Sequence, residues 1–191
     1  MRKRRAAFLD RDGTISVERA GWLTRPDQLR LVRGSGAAIK RLNDAGVPVV
    51  VITNQSGVAR GHLSEARLAE IHAELERRLR RYGAHVDLIL YCPHHPTEGR
   101  AKYRKKCRCR KPAKGMLERA ARDLDLRLDG SVVIGDDVRD LALSEGTGVK
   151  PILVRTGKGR AKEAEARAKY GRRLTVVDRM EQGVDAWLGR A

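Results

Sequence analysis

Aromatic side chains are scarce: the 191 residues include one Phe, two Trp and four Tyr, 4% of the chain. A core must therefore be built from Val, Leu, Ile and Ala, and a nucleic-acid binder that stacks bases on exposed rings has few rings to use. Cysteine is nearly absent as well. The three present all fall between Tyr91 and Arg110, an odd number that excludes a closed disulfide framework and points to a reducing compartment, the cytoplasm. No apolar stretch approaches the ~20 residues a membrane span needs, so no membrane partner is expected. The basic start, Met1-Arg2-Lys3-Arg4-Arg5, leads into an apolar run that stops at Asp10, too short for a signal peptide. Internal repeats, low-complexity tracts and long linkers are lacking too. Acidic residues are in deficit, 24 against 41 Lys and Arg, which leaves a formal charge of +17. Such a charge attracts polyanions. Arg is spread from Arg2 to Arg190, which favours a solvated basic surface for most of it. Recognition of an anionic substrate and binding of nucleic acid both stay open.

With 41% hydrophobic and 34% charged residues, the chain reads as a soluble globular protein. Its length suits one domain, residues 1–191, with room for a proper core. Short β-branched or aliphatic runs at 6–9, 47–53, 86–91, 131–135 and 151–154 read as strands covered on both faces, with a last edge strand at 174–177. Helical patterns lie between them at 36–45, 64–82, 114–126, 138–145 and 162–170. In the second, Leu68, Ile71, Leu75 and Leu79 recur at helical spacing behind Ser64 as N-cap. The alternation predicts an α/β fold: a mostly parallel sheet, helices on both faces, right-handed crossovers. Ligands in such folds sit beyond the carboxyl ends of the strands. Four polar loops fall at that edge.

The first is Asp10-Arg11-Asp12-Gly13-Thr14, two carboxylates one residue apart at the exit of a buried strand. Unpaired ionised carboxylates are costly to bury, so they should meet solvent, a cation or a substrate. The plainer alternative is a turn that favours Asp and Gly. The second, Thr53-Asn54-Gln55-Ser56-Gly57, offers a hydroxyl and backbone N–H groups that could hold phosphoryl oxygens, or could simply cap a helix. The fourth, Gly135-Asp136-Asp137, repeats the strand-end carboxylate. Asp136 with Asp10 would make the hard oxygen site that Mg²⁺ prefers; the alternative is N-capping, and Asp140 one turn on could support either.

The third loop carries Cys92-Pro93-His94 and Cys107-Arg108-Cys109 around a stretch rich in Arg and Lys. Three thiols and an imidazole describe a closed, structural Zn²⁺ site at Cys92, His94, Cys107 and Cys109, with His95 as the competing ligand. The 92–109 loop has little apolar material, so a metal clip gives it a reason to order. Arg110 and Lys111 follow the last thiol directly. Lys111 could act as a point charge on a phosphoryl group and Arg110 as a planar fork for a second anion.

Together these motifs resemble the haloacid-dehalogenase (HAD) superfamily of phosphohydrolases, from Asp10 to about Gly159. More narrowly, D-R-D-G-T-I, T-N-Q-S-G-V-A-R-G, Y-C-P-H-H-P, C-x-C-R-K-P and V-R-T-G-K-G resemble the D-glycero-D-manno-heptose-1,7-bisphosphate 7-phosphatase family, and the neighbouring histidinol-phosphate phosphatases share much of this. The resemblance implies a HAD-type Rossmann-like sheet without a large cap domain and a monomer. It implies a Mg²⁺-dependent phosphomonoesterase that removes the C7 phosphate of the heptose bisphosphate, in nucleotide-heptose supply for lipopolysaccharide. Asp10 would be the nucleophile that forms an aspartyl-phosphate, and Asp12 would protonate the leaving oxygen and then activate water. Thr53 and Lys111 would stabilise the phosphoryl group, and Arg110 would help recognise the substrate. Mg²⁺ would be held by Asp10, the backbone carbonyl of Asp12, and Asp136. Substrate contacts would come from Glu18, Arg19, Gly21 and Trp22, from Thr53, Asn54, Gln55 and Ser56, and from Arg110 and Lys111. The chain departs from the family pattern at Ser16, around Arg19 to Trp22, and at Asp137, all near the expected sugar. Other readings are a phosphatase for histidinol phosphate or a nucleic-acid 3′-phosphate, and, in another class, a non-catalytic basic zinc module that binds nucleic acid.

Overall fold

In the computed structural model, which describes residues 3–189, the strands are β1 (Ala7–Leu9), β2 (Val49–Asn54), β3 (Leu88–Cys92), β4 (Val132–Gly135), β5 (Lys150–Val154) and β6 (Thr175–Val177). They form one sheet in the order β3-β2-β1-β4-β5-β6, every pair parallel. Met1 and Arg2 of the basic start, and Arg190, lie outside the described residues. The α/β expectation holds, and 174–177 forms the edge strand β6 beside β5. The helices are α1 (Ser35–Asp44), α2 (Glu65–Arg80), α3 (Gly115–Asp123), α4 (Val138–Leu141), α5 (Gly159–Tyr170) and α6 (Met180–Leu188).

The strands alternate sides with the two-residue period of a pleat. Leu9, Val51 and Ile134 join a core with Ile39, Leu42, Leu68, Ile71 and Val184, from α1, α2 and α6. Phe8, Val50, Ile52 and Val133 face the opposite layer, where Met116, Leu117 and Ala120 of α3 cover them. The single Phe is thus fully buried in the central strand. The second helix starts as expected, with the Ser64 hydroxyl accepting from Arg67 N at 3.0 Å.

Two elements differ from expectation. The 138–145 helix is one α-turn, α4, followed by a 3₁₀ turn at Ala142–Ser144, because Gly146 and Gly148, both at positive φ, turn the chain toward β5. The last helix, α6, was not expected: Gly183 interrupts its pattern. A Cβ there would stand 3.0 Å from Ile152 Cγ2, so glycine lets the helix lie close against β5. Asp185 of α6 also pairs with Arg41 of α1 at 2.7 Å.

The sheet order sets the site. From β1 the chain steps outward through β2 to β3, then returns to the other side of β1 as β4. The loops after β1 and β4 therefore diverge and open a crevice at the carboxyl edge, the switch point where such folds hold ligands. No inserted domain covers this edge among the described residues, and none of their helices is long and apolar enough to cross a membrane.

Candidate active site

β1 delivers Asp10 to the crevice floor, its N–H held by Ile134 O at 3.0 Å. The chain then folds back at once: Gly13 N donates to Ser16 O at 2.7 Å and Ile15 N to Arg11 O at 2.9 Å. Gly13 has φ +88°, and a Cβ on it would collide with the Asp136 carboxylate. Only glycine lets the β1 turn and the end of β4 approach this closely.

Asp10, Asp136 and Asp140 are all buried, and each offers an oxygen to a group whose members lie within 4.8 Å of one another. One cation sits among them. Lys111 Nζ is 2.6 Å from Asp10 Oδ1 and 2.7 Å from Asp140 Oδ1, and it donates to Ile52 O at 2.7 Å. A single ammonium does not neutralise three carboxylates. Burial pushes the Asp10 carboxyl well above its ordinary value; Lys111 opposes this, while Asp140, Asp136 and Asp12 add to it. Asp136 is pushed up to about 7, mainly by burial, against a hydrogen bond from Lys158 N at 2.8 Å. Surplus buried negative charge and hard oxygen donors are what a divalent cation of the Mg²⁺ type requires. The residues present fit such an ion.

Asp12 stands apart from that group. Its carboxylate accepts from Arg11 Nε at 3.0 Å and Nη2 at 2.6 Å, from Gln55 Nε2 at 2.8 Å and from Ser16 Oγ at 3.2 Å. Burial would raise its pKa, but the Arg11 charge and these hydrogen bonds outweigh it and hold the group below its ordinary value. Its side chain is no part of the carboxylate cluster, so any contact with a cation there falls to its backbone.

The turn after β2 supports Asp12 directly and Lys111 through its backbone. Gln55 Nε2 donates to Thr53 Oγ1 at 2.8 Å as well as to Asp12, which links the two loops. Asn54 is committed elsewhere: its amide accepts from Lys111 N at 3.0 Å and donates to Lys111 O at 3.1 Å. That reciprocal pair clamps the backbone that carries the buried lysine.

Cys92, His94, Cys107 and Cys109 converge. The sulfurs lie 3.2–3.5 Å apart and His94 Nδ1 is 3.3 Å from Cys109 Sγ, all ligand atoms within 4.8 Å of one another. These separations are too long for S–S bonds, and the donor set, three thiols and one imidazole, fits a tetrahedral soft-metal site. His95 faces away, 3.2 Å from Arg60 and accepting from Glu98 N at 3.0 Å. Two tyrosines tie the loop down: Tyr91 and Tyr103 donate to the Glu65 carboxylate at 2.7 and 2.6 Å. Arg110 Nη1 donates to His94 O at 3.0 Å, so the backbone of the Cys/His cluster also orients this guanidinium.

Above the carboxylates a cavity of about 270 Å³ opens. All of the residues named above for catalysis and substrate contact line it, including Glu18, Arg19, Gly21, Trp22, Ser56 and Arg110. The 18–22 loop is anchored at both ends. Glu18 pairs with Lys158, and Trp22 stacks on His62 with ring centres 5.0 Å apart.

Sequence reasoning missed several neighbours. Arg139 lines the cavity and is braced by Asp137, Nε and Nη2 donating at 3.1 and 2.7 Å. The Thr156-Gly157-Lys158 turn closes over the Asp10 loop, with Thr156 Oγ1 donating to Gly13 O at 2.6 Å. Asp140 accepts from Asp137 N at 3.1 Å, the capping role its spacing suggested, and its 2.7 Å contact with Lys111 is an addition that the sequence did not suggest. Arg11, which reads as a spacer between two Asp, is 1% exposed and meets His72. For Arg139 and His72 no sequence signal was available; for Lys158 the Gly-Lys-Gly turn was one.

Residues 108–182 match the HAD-hydrolase-like family model. The chain is 42% identical to D-glycero-β-D-manno-heptose-1,7-bisphosphate 7-phosphatase of Haemophilus ducreyi, covering 86% of this chain and 91% of the relative. It is 40% identical to the protein of that name from Bordetella bronchiseptica, over 87% and 89%. The crystal structure of a D,D-heptose 1,7-bisphosphate phosphatase from B. bronchiseptica, complexed with magnesium and phosphate, superposes with a TM-score of 0.84 at 36% identity, covering 98% of this chain and 99% of that one. A heptose bisphosphate phosphatase from Burkholderia thailandensis gives 0.69 at 29% identity over 97% of this chain and 99% of that one.

Proposed function

This chain belongs to the D-glycero-β-D-manno-heptose-1,7-bisphosphate 7-phosphatase family of HAD-like phosphoric monoester hydrolases, and from that premise we propose that it releases the C7 phosphate of this sugar bisphosphate in the supply of nucleotide heptose. The observation that carries the site reading is the buried group of Asp10, Lys111, Asp136 and Asp140 on the floor of one cavity, with Asp12 beside it.

Asp10 attacks phosphorus; the new Asp10 O–P bond forms as the P–O bond to C7 breaks, giving an aspartyl-phosphate. Asp12 gives a proton to the departing sugar oxygen. In the second half it takes a proton from water as that water attacks phosphorus, releasing inorganic phosphate and restoring Asp10. Arg11, Gln55 and Ser16 favour the ionised form of Asp12, which suits its role as base; to serve as donor in the first half it must take up a proton as the phosphate dianion binds beside it. Lys111 and the Thr53 hydroxyl stabilise charge on the transferring oxygens. Arg110, with the 18–22 loop, engages the remainder of the sugar phosphate.

Asp10, Asp136 and the Asp12 carbonyl would hold Mg²⁺, which when bound offsets the repulsion between carboxylate and phosphate dianion. Cys92, His94, Cys107 and Cys109 would hold Zn²⁺ as a closed structural clip.

Phosphate release across a panel of sugar phosphates, histidinol phosphate and a 3′-phosphorylated oligonucleotide, with and without Mg²⁺, tests the reading. The highest kcat/KM is expected on the heptose bisphosphate, with Mg²⁺ required. Faster turnover of another member of the panel would overturn the substrate.

A further inference from the structure

The Asp12 carboxylate is held from behind by one buried guanidinium. Two of its nitrogens, Nε and Nη2, grip Asp12 at 3.0 and 2.6 Å, and the third, Nη1, lies 3.2 Å from His72 Nε2. A guanidinium only donates. His72 must therefore accept through Nε2, which puts its proton on Nδ1 and leaves the ring neutral. Burial and the neighbouring Arg11 charge both favour that state.

The placement of His72 is unusual for its helix. The buried face of α2 is otherwise Leu68, Ile71, Leu75 and Leu79, and His72 is its one polar buried residue. At 8% exposure it has little access to water, its ring tilted against Tyr91 with centres 5.7 Å apart. An apolar residue would suit this stripe, but it would leave a buried guanidinium N–H without an acceptor. Arg11 would then turn to find one, and Asp12 would move with it.

We propose that His72 is a positioning residue for proton transfer: acting through Arg11, it fixes where the Asp12 carboxyl stands beside Asp10. It does not touch substrate. The proposal rests on the reading of Asp12 as the proton donor, and the test separates the two. kcat/KM reports events up to departure of the leaving group, so it isolates the first proton transfer. Two esters are compared. A sugar phosphate needs a proton on its leaving alkoxide, whereas p-nitrophenyl phosphate does not.

His72→Leu removes the acceptor and His72→Gln restores one near the same place; His72→Met stands in for Leu if that variant fails to fold. His72→Leu is expected to lower kcat/KM on the sugar phosphate by about tenfold to a hundredfold, the order that a displacement of ~1 Å costs, with less than about a threefold change on the aryl ester. His72→Gln should recover most of the loss. Equal losses on the two esters, or a Gln variant no better than Leu, would overturn the proposal and leave His72 with a packing role. Asp12→Asn serves as the reference and should show the same selectivity, more strongly. If it shows none, the assignment of Asp12 as donor fails, and the His72 proposal falls with it.

Discussion

Lys111 Nζ donates to Asp10 Oδ1 at 2.6 Å, a buried ion pair between residues 101 apart in the sequence. Burial disfavours the ammonium, but Asp10 and Asp140 outweigh it and hold Lys111 charged. On the proposed mechanism, the ammonium that compensates Asp10 as nucleophile would also meet the phosphoryl oxygens as they arrive. Lys111→Met keeps the stem and removes the charge. It is expected to lower kcat by about 10²- to 10³-fold, the scale on which one preorganised donor contributes. Steady-state kinetics at saturating Mg²⁺ check this; a loss confined to KM would assign Lys111 to substrate binding alone.

The Cys/His cluster is tied to the site by Arg110, whose guanidinium donates to the His94 carbonyl at 3.0 Å, so a metal held by the cluster would act on the site through this residue. Cys107→Ser, or removal of the metal by a strong chelator, should free the 92–109 loop and misdirect Arg110. KM is then expected to rise more than kcat falls, together with a lower melting temperature and thiols that react with a water-soluble reagent in the native protein. Metal analysis of the wild type gives the baseline. Unreactive thiols and unchanged KM after complete metal removal would deny the clip any role at the site.

Much of this site was legible because its chemistry is concentrated where strands end. Asp10, Asp12, Thr53, Asp136 and the Cys92/His94 pair each follow an apolar run, and the parallel-sheet rule sends all such loops to one edge. What escaped were relationships between side chains on different elements. His72 looks like one more position on the α2 stripe, and only the fold brings it against Arg11. Asp140 reads as support for a cation site or as a helix cap, and only the fold places it beside Lys111. The α6 helix was hidden by Gly183, whose missing Cβ is a matter of how close β5 lies. Periodicity reports which face is buried, not what it is buried against.

Gly13 offers a sharp test of how closely the β1 and β4 loops approach. Alanine there would be strained twice, by φ +88° and by a Cβ directed into Asp136. Strained backbone alone costs roughly 1–3 kcal/mol. Gly13→Ala should therefore unfold at lower urea and lose the stabilisation that added Mg²⁺ gives the wild type. A variant of normal stability with an intact Mg²⁺ response would mean that the turn can open without disturbing the carboxylates.

His72 also makes a prediction about acid stability, independent of catalysis. Its pKa is lowered from the ordinary 6.5 to about 3 by burial first and the Arg11 charge second. Between those values the unfolded chain binds a proton at this residue and the folded chain does not. Because stability rises with pH wherever the unfolded state holds more protons, this residue destabilises the fold as pH drops below 6.5 and has no effect on the slope above it. At about pH 5 the difference amounts to roughly 2 kcal/mol. His72→Gln has no such proton to bind. Urea unfolding of wild type and variant at about pH 8 and about pH 5 should show the wild type losing ~2 kcal/mol more over that interval. Carboxylates elsewhere titrate in both proteins and cancel in the comparison. Parallel losses would mean that the imidazole takes up its proton in the folded state, which a ring accepting from Arg11 in a buried site cannot do without breaking that hydrogen bond.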